Sequence, residues 1–275
     1  MGHRLLRLAY GSVPGGGAHA ADTVLWLRSS GKAVDARGSL AVNPTGQASE
    51  ANAAGPAAAA SRPGGNGVPG APGLLATLDE AMLPADPMDL FDAWMDDVIQ
   101  AGLPEPTAMV LSTVSADQRP RGRMVLLKAA DVTGFTFYTN RTSRKASDLA
   151  EVPLASLLFP WHALHRQVIV EGPVTPLSTA DSEPYFHSRP RGSQLGAWAS
   201  RQSTQLSSRA ELEDRYAELD RRWPEGMQVP MPEFWGGYRL RPDRMEFWQG
   251  RPSRLHDRFR YTREDPAWRV ARLSP

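Results

Sequence analysis

Between residues 108 and 273 the chain is cut into short runs, most of them bounded on at least one side by Gly, Pro, Asn, Asp or Ser. Runs of about four to eight residues between such breakers read as strands. They fall at 108–114, 123–130 (RMVLLKAA), 135–139 (FTFYT), 154–159, 167–170, 237–240, 244–249, 254–261 and 268–273. The second and third are separated by Thr133-Gly134 and read as a hairpin; the fourth and fifth are joined through Pro160-Trp161-His162. At least seven strands follow one another without alternating helices. That order excludes a doubly wound βαβ sheet and predicts an α+β fold around a closed antiparallel barrel.

Helices are few and have local causes. Asp86 followed by Pro87 is an N-cap with proline at the first helical position. Leu90, Phe91, Trp94, Met95, Val98 and Ile99 then repeat at helical spacing up to Gly102. A second helix is expected near Ser143, a third over 179–188 despite Pro184. A fourth opens on the capping box Ser208-x-x-Glu211 and runs to Arg222.

Residues 1–75 differ in kind. They hold 14 glycines and 16 alanines, and 51–73 is low-complexity. Such a stretch buries too little apolar surface to offset its ordering entropy. The expected division is therefore an unfolded leader over 1–75 and a folded unit over 76–275. Arg4 and Arg7 precede the first acid, but no apolar stretch ends in a cleavage site, so secretion is not expected.

Several function classes drop out. Lys and Arg number 31 against 30 Asp and Glu, so no global basic field invites nucleic acid. The chain has no cysteine, which removes disulfides, thiolate nucleophiles and cysteine-bound metal. No apolar run is long enough for a membrane span, and a cytoplasmic protein is expected. GxSxG, HExxH and Walker patterns are missing, no GxGxxG follows a strand, and the scattered histidines predict no metal site.

What remains is cationic and hydroxylic. Arg123 with Lys128, Arg144 with Lys145, residues 185–203 (YFHSRPRGSQLGAWASRQS) and residues 254–258 (RLHDR) form four clusters. Guanidinium, ammonium and hydroxyl groups suit phosphate oxygens. Arg144 and Lys145 oppose the dipole at their helix start unless an anion sits there. Two phosphorylated ligands account for this many cations economically. Tyr138, Trp198 and Trp248 offer surfaces for a planar ring. The bland reading of 185–203 is a solvated basic loop.

These stretches, with FYTNRTSRKASDL (137–149), SLLFPWHALHRQV (156–168), FWGGYR (234–239), EFWQG (246–250) and RLHDRF (254–259), resemble the pyridoxine/pyridoxamine 5'-phosphate oxidase family. The resemblance covers roughly residues 83–275. It implies an antiparallel split β-barrel with peripheral helices, and a homodimer with FMN in clefts between subunits. It also implies oxidation of a phosphorylated B6 vitamer to pyridoxal 5'-phosphate, with dioxygen reduced to hydrogen peroxide. The implied FMN contacts are Arg123, Met124, Val125, Leu126, Leu127, Lys128, Tyr138, Thr139, Arg144, Lys145, Gln167, Gln202, Ser203, Trp248 and Arg258. Lys128, Tyr185, Arg189 and Ser193 match the family's substrate-phosphate clamp. Arg254, Leu255 and His256 match residues over the substrate ring, with Arg254 and His256 at the reacting carbon. The bland alternative for Arg254 and His256 is ion pairing with Asp257.

One stretch departs from the family. Where it carries an Arg-x-x-Tyr segment that helps cover the substrate, residues 74–82 read LLATLDEAM. Two competing readings follow, a flavin reductase on the same fold and a non-catalytic holder of pyridoxal phosphate or FMN. The complete phosphate clamp argues against the first, and Arg254 with His256 against the second.

Overall fold

The structure, a computed structural model, describes residues 77–275 and two short antiparallel strands, Trp26–Leu27 and Ala33–Val34. The rest of the expected leader lies outside the described residues.

Helix α1 (Pro87–Gln100) begins as its sequence dictates: the Asp86 carboxylate accepts from the Met88 amide at 2.9 Å. Its apolar stripe is buried, with Phe91, Met95 and Val98 fully inaccessible. The Phe91 ring meets Phe135 and Phe159 edge-on, each at 5.0 Å between centroids. This helix plugs the inner face of a curled, all-antiparallel sheet.

The strands are β1 (Ala108–Val114), β2 (Pro120–Leu126), β3 (Ala129–Asp131), β4 (Gly134–Asn140), β5 (Leu154–Trp161), β6 (Arg166–Pro176), β7 (Trp235–Leu240), β8 (Arg244–Gln249), β9 (Asp257–Glu264) and β10 (Ala267–Arg272). The main limb runs β10-β9-β8-β6-β5-β1-β2, and a second limb, β3-β4-β7, hangs from the far end of β6. The sheet forks at Gly172, where a Cβ would stand 1.9 Å from the Arg241 carbonyl oxygen. Only glycine lets the chain after β7 cross there.

On β1, β5, β6, β8 and β9 buried and half-buried residues alternate. Met109, Leu111, Leu157, Phe159, Val168, Phe247 and Phe259 face the core. The opposite face is unusually apolar for an outer surface: Val110, Leu158 and Ile169 form one cross-strand row with Met124, which is 57% exposed.

The helices α2 (Arg144–Glu151), α3 (Thr179–Ser188), α4 (Arg191–Ala199) and α5 (Arg209–Arg222) are peripheral. At α5 Ser208 accepts from the Glu211 amide at 3.3 Å, as the capping box requires. Among the described residues no helix is long and apolar enough to cross a membrane.

Four local expectations are corrected. Of residues 123–130, only Ala129 and Ala130 lie in the expected hairpin with β4, while 123–126 pair with β1. The Leu127 amide bonds Thr107 O at 2.9 Å and the Lys128 amide bonds Thr136 O at 2.8 Å, so the chain changes partner there. Pro160 and Trp161 belong to β5, and the turn is His162–Leu164, closed by left-handed His165. The strand expected from 254 starts at Asp257, because Ser253 and Arg254 have positive φ. The basic stretch at 191–199, open to a loop reading, is helix α4, whose Leu195 is buried against Phe186 and Trp235.

Candidate active site

The start of α2 lies beside β4 and the turn at 202–203. Its N-cap, Ser143, makes no side-chain cap; its hydroxyl donates to Asn140 O at 2.7 Å. The first turn holds cations and no acid. Lys145 is buried, and its ammonium donates to Gln202 Oε1 at 2.6 Å and to the Thr139 and Ser143 hydroxyls, each at 3.1 Å. All three acceptors are neutral. Burial, and then the Arg123 guanidinium, pushes its pKa down to about 8. The Arg144 side chain is exposed, while its amide donates to the Ser203 hydroxyl at 3.2 Å.

Arg123 reaches inward from β2. It donates to Thr113 Oγ1 at 2.8 Å and Leu111 O at 3.0 Å, and stands 3.8 Å from buried Asp148. Burial lowers its pKa, and Asp148 opposes that shift.

An aromatic wall continues the site. Tyr185 and Tyr138 stack at 4.2 Å, and Tyr138 stacks on Trp235 at 5.2 Å. The Arg189 guanidinium lies 5.1 Å over the Trp235 ring, and Lys128 Nζ 5.6 Å over Tyr185. The wall depends on Gly237, where a Cβ would come 2.8 Å from the Tyr138 ring.

These groups line one cavity of about 310 Å³. It collects residues 123–126, Lys128, Tyr138, Thr139, Lys145, Tyr185, Arg189 and Gln202 from the expected set, and adds Trp235. Four of its lining residues are cations and none is an acid. Trp235 was missed as a site residue, although an aromatic ahead of Gly236-Gly237 signals close backbone approach. Leu127 is buried in the core and does not line the cavity, and Ser193 lies in the first turn of α4, outside it. Trp198 belongs to the packing of α4: its indole donates to Pro230 O at 2.7 Å and its ring meets Trp223 and Phe234.

Arg144 and Ser203, at the start of α2, do not line the cavity, and neither does a second cluster made of Gln167, Trp248, Arg254, Leu255, His256 and Arg258. Trp248 sits opposite Gln167 on β6 and Arg258 on β9. The His256 ring lies 4.6 Å from Trp248, and its Nδ1 accepts from the Arg251 amide at 3.0 Å. A neutral His256 therefore carries its proton on Nε2, facing away from the backbone. Arg254 and Leu255 are exposed. The ion-pairing alternative is not what is seen, since Asp257 pairs with Arg251 and Arg272. Consecutive left-handed Ser253 and Arg254 mark a strained loop, at about 1–3 kcal/mol per residue.

Comparison with known proteins places the chain. A family profile described as pyridoxamine 5'-phosphate oxidase matches residues 95–222, and one described as the pyridoxine 5'-phosphate oxidase C-terminal dimerisation region matches 235–275. The pyridoxine/pyridoxamine 5'-phosphate oxidase of Rubrobacter xylanophilus is 56% identical over 190 residues, covering 69% of this chain and 87% of that protein. The chain belongs to the pyridoxine/pyridoxamine 5'-phosphate oxidase family. The Streptomyces avermitilis member is 55% identical over 203 residues, covering 72% of this chain and 91% of its own length. Among solved structures, PhzG from Burkholderia lata in complex with tetrahydrophenazine-1-carboxylic acid matches with TM-score 0.69 and 32% identity, covering 74% of this chain and all of that one. A pyridoxamine 5'-phosphate oxidase-related, FMN-binding protein from Nostoc punctiforme has TM-score 0.57 at 16% identity, with 70% and 100% covered, a likeness of fold. As in its relatives, the oxidase fold here is an antiparallel split barrel. The family's dimerisation region spans the strands that carry Trp248 and Arg258 and the loop that carries His256.

Proposed function

We propose that residues 76–275 form an oxidase that converts pyridoxine or pyridoxamine 5'-phosphate to pyridoxal 5'-phosphate, using FMN and dioxygen. The observation that carries this reading is the cavity itself: four cations, no acid, and the aromatic wall of Tyr138, Tyr185 and Trp235. Lys145 and the uncapped start of α2 suit the phosphate of FMN, because Lys145 has only neutral acceptors and its charge is disfavoured until an anion arrives. Arg123, residues 124–127, Tyr138, Thr139, Arg144, Gln202 and Ser203 complete that group, Leu127 through its backbone. Lys128, Tyr185 and Arg189, joined by Ser193, hold the substrate phosphate.

The second cluster completes the site from another copy. Met124, Val110, Leu158, Ile169, Glu246 and Arg260 are successive cross-strand partners on the outer face, and Leu126 at one end and Gln167, Trp248 and Arg258 at the other stand two residues along from that row on their own strands. Five strand spacings of about 4.8 Å put roughly 24 Å of sheet between its ends, too far for one ligand. Two such faces, packed about a twofold axis running along the strands, set the Gln167–Trp248–Arg258 end of one copy against the 124–126 end of the other. The apolar row of Val110, Leu158 and Ile169 supplies the contact between them.

When bound, FMN supplies the two-electron acceptor for hydride from the exocyclic carbon and passes both electrons to dioxygen, giving hydrogen peroxide. The chain holds the substrate by its phosphate, and Arg254 and His256 orient the ring. His256 offers Nε2–H as a donor because Arg251 occupies Nδ1. The alcohol loses two hydrogens to oxygen; the amine also consumes water and releases ammonia.

The test uses the full chain reconstituted with FMN and given pyridoxine 5'-phosphate in air. Pyridoxal 5'-phosphate and peroxide are expected in equal amounts. A protein that binds FMN yet forms neither product from either phosphorylated vitamer sinks the proposal.

A further inference from the structure

Two segments from other parts of the chain and the near end of its own loop meet at one carboxylate, Asp257. Arg272, on the last strand, donates Nη1 to its Oδ1 at 2.8 Å. Arg251 places Nε 3.5 Å from its Oδ2, and the Leu78 amide donates to the same oxygen at 3.4 Å. The second edge of the Arg272 guanidinium closes on Glu80, Nε to Oε1 at 2.5 Å and Nη2 to Oε2 at 2.6 Å. Arg272 also lies 4.3 Å over the Phe259 ring, its cross-strand neighbour. A planar fork held on both edges and on its face has little freedom left.

What this network encloses is the loop between β8 and β9. Arg251 ties both its feet, by its amide to His256 Nδ1 and by its side chain to Asp257. Between those ties stand left-handed Ser253 and Arg254. A strained loop relaxes unless its surroundings over-determine it. Asp257 is the group through which the surroundings act, and residues 78–80, from the stretch that departs from the family pattern, brace it.

We propose that Asp257 is a positioning residue for the oxidase reaction: through Arg251, and braced by Arg272 and Glu80, it holds the loop that presents Arg254 and His256 to the substrate. This rests on the oxidase reading of those two residues. Asp257 itself touches neither substrate nor flavin in this scheme.

The test compares Asp257→Asn, Asp257→Glu and Glu80→Gln with the native full-length holoprotein. A misplacement of about 1 Å costs on the order of a hundredfold in rate. Asp257→Asn is expected to lower kcat for pyridoxine 5'-phosphate by about ten- to a hundredfold. FMN affinity, read by flavin fluorescence, and Tm stay at native values. Glu80→Gln moves kcat the same way but less, and Asp257→Glu restores part of it. Tryptic cleavage after Arg254, followed by mass spectrometry, accelerates in Asp257→Asn. Native kcat in Asp257→Asn, or loss of FMN and Tm in step with kcat, overturns the proposal. So does an unchanged cleavage rate, which needs no turnover. If the native protein oxidises neither vitamer, the oxidase reading fails on its own, and the cleavage comparison still decides whether Asp257 holds the loop.

Discussion

Lys145 donates to the Gln202 side-chain oxygen at 2.6 Å, joining the first turn of α2 to a turn 57 residues later, with no carboxylate among the acceptors of its ammonium. A buried ammonium bonded only to neutral oxygens is a site prepared for an anion.

Its pKa gives a signed prediction. The folded value, about 8, lies below the ordinary 10.5, so the charge costs stability at neutral pH. That cost is relieved as pH rises from about 8 to 10.5, where the unfolded chain binds the extra proton. Without flavin, the stability of the native protein relative to Lys145→Met should therefore rise across this window, as urea titrations at stepped pH will read. FMN binding has the opposite sign, because the phosphate needs the ammonium. Its log affinity should fall above pH 8 with a slope of about −1, and Lys145→Met should flatten that slope.

Asp148 is almost inaccessible and is shared by Thr113, Arg121 and Arg123. Replacing it with Ala leaves two partly buried guanidinium groups without their carboxylate. The expected loss is on the order of 2–4 kcal/mol by denaturant titration, with weaker FMN binding. A change below about 0.5 kcal/mol would mean the arginines find other partners.

Gly237→Ala should act on the aromatic wall. The added methyl meets the Tyr138 ring at 2.8 Å and Leu177 at 2.7 Å, so one must move. A destabilisation of about 1–3 kcal/mol is expected, with a raised KM for the phosphorylated vitamer. Unchanged KM would detach the Tyr138–Tyr185 stack from substrate binding.

Ile169→Arg tests the outer sheet face. Ile169 is half-buried, central in the apolar row, and points away from the core. A charge there should yield a folded monomer by light scattering that binds FMN at least tenfold more weakly, about 1.4 kcal/mol or more. A monomer with native FMN affinity would refute a shared site.

Phe91→Ala removes the ring that Phe135 and Phe159 both contact. The expected cost is about 3–5 kcal/mol, read from the shift in the urea midpoint.

Much of this was legible along the chain. The N-cap of α1 at Asp86, the start of α2 at Ser143 and the capping box at Ser208 are local events, set by residues within one turn of each other. Strand 244–249 keeps its boundaries because breakers enclose it and its alternation is strict. The chemistry was legible too, since cations without matching acids at a helix start and along 185–203 ask for an anion. Less legible was helix α4, where two glycines and a basic surface weaken the helical pattern, and packing of Leu195 under Trp235 decides the outcome.

The sequence by itself determined the strands of the barrel, the helices other than α4 and the phosphate-seeking character of the site, because periodicity, capping and charge act over a few residues. Tertiary structure alone decided which strand pairs with which. It moved the chain to a new partner at Leu127, forked the sheet at Gly172, placed Trp235 in the cavity and made Asp257 the junction of Leu78, Arg251 and Arg272. It also parted the expected site residues into two clusters at opposite ends of one sheet face. Pairing is a contest among long-range contacts for burial and backbone hydrogen bonds, and no local pattern records which contact wins.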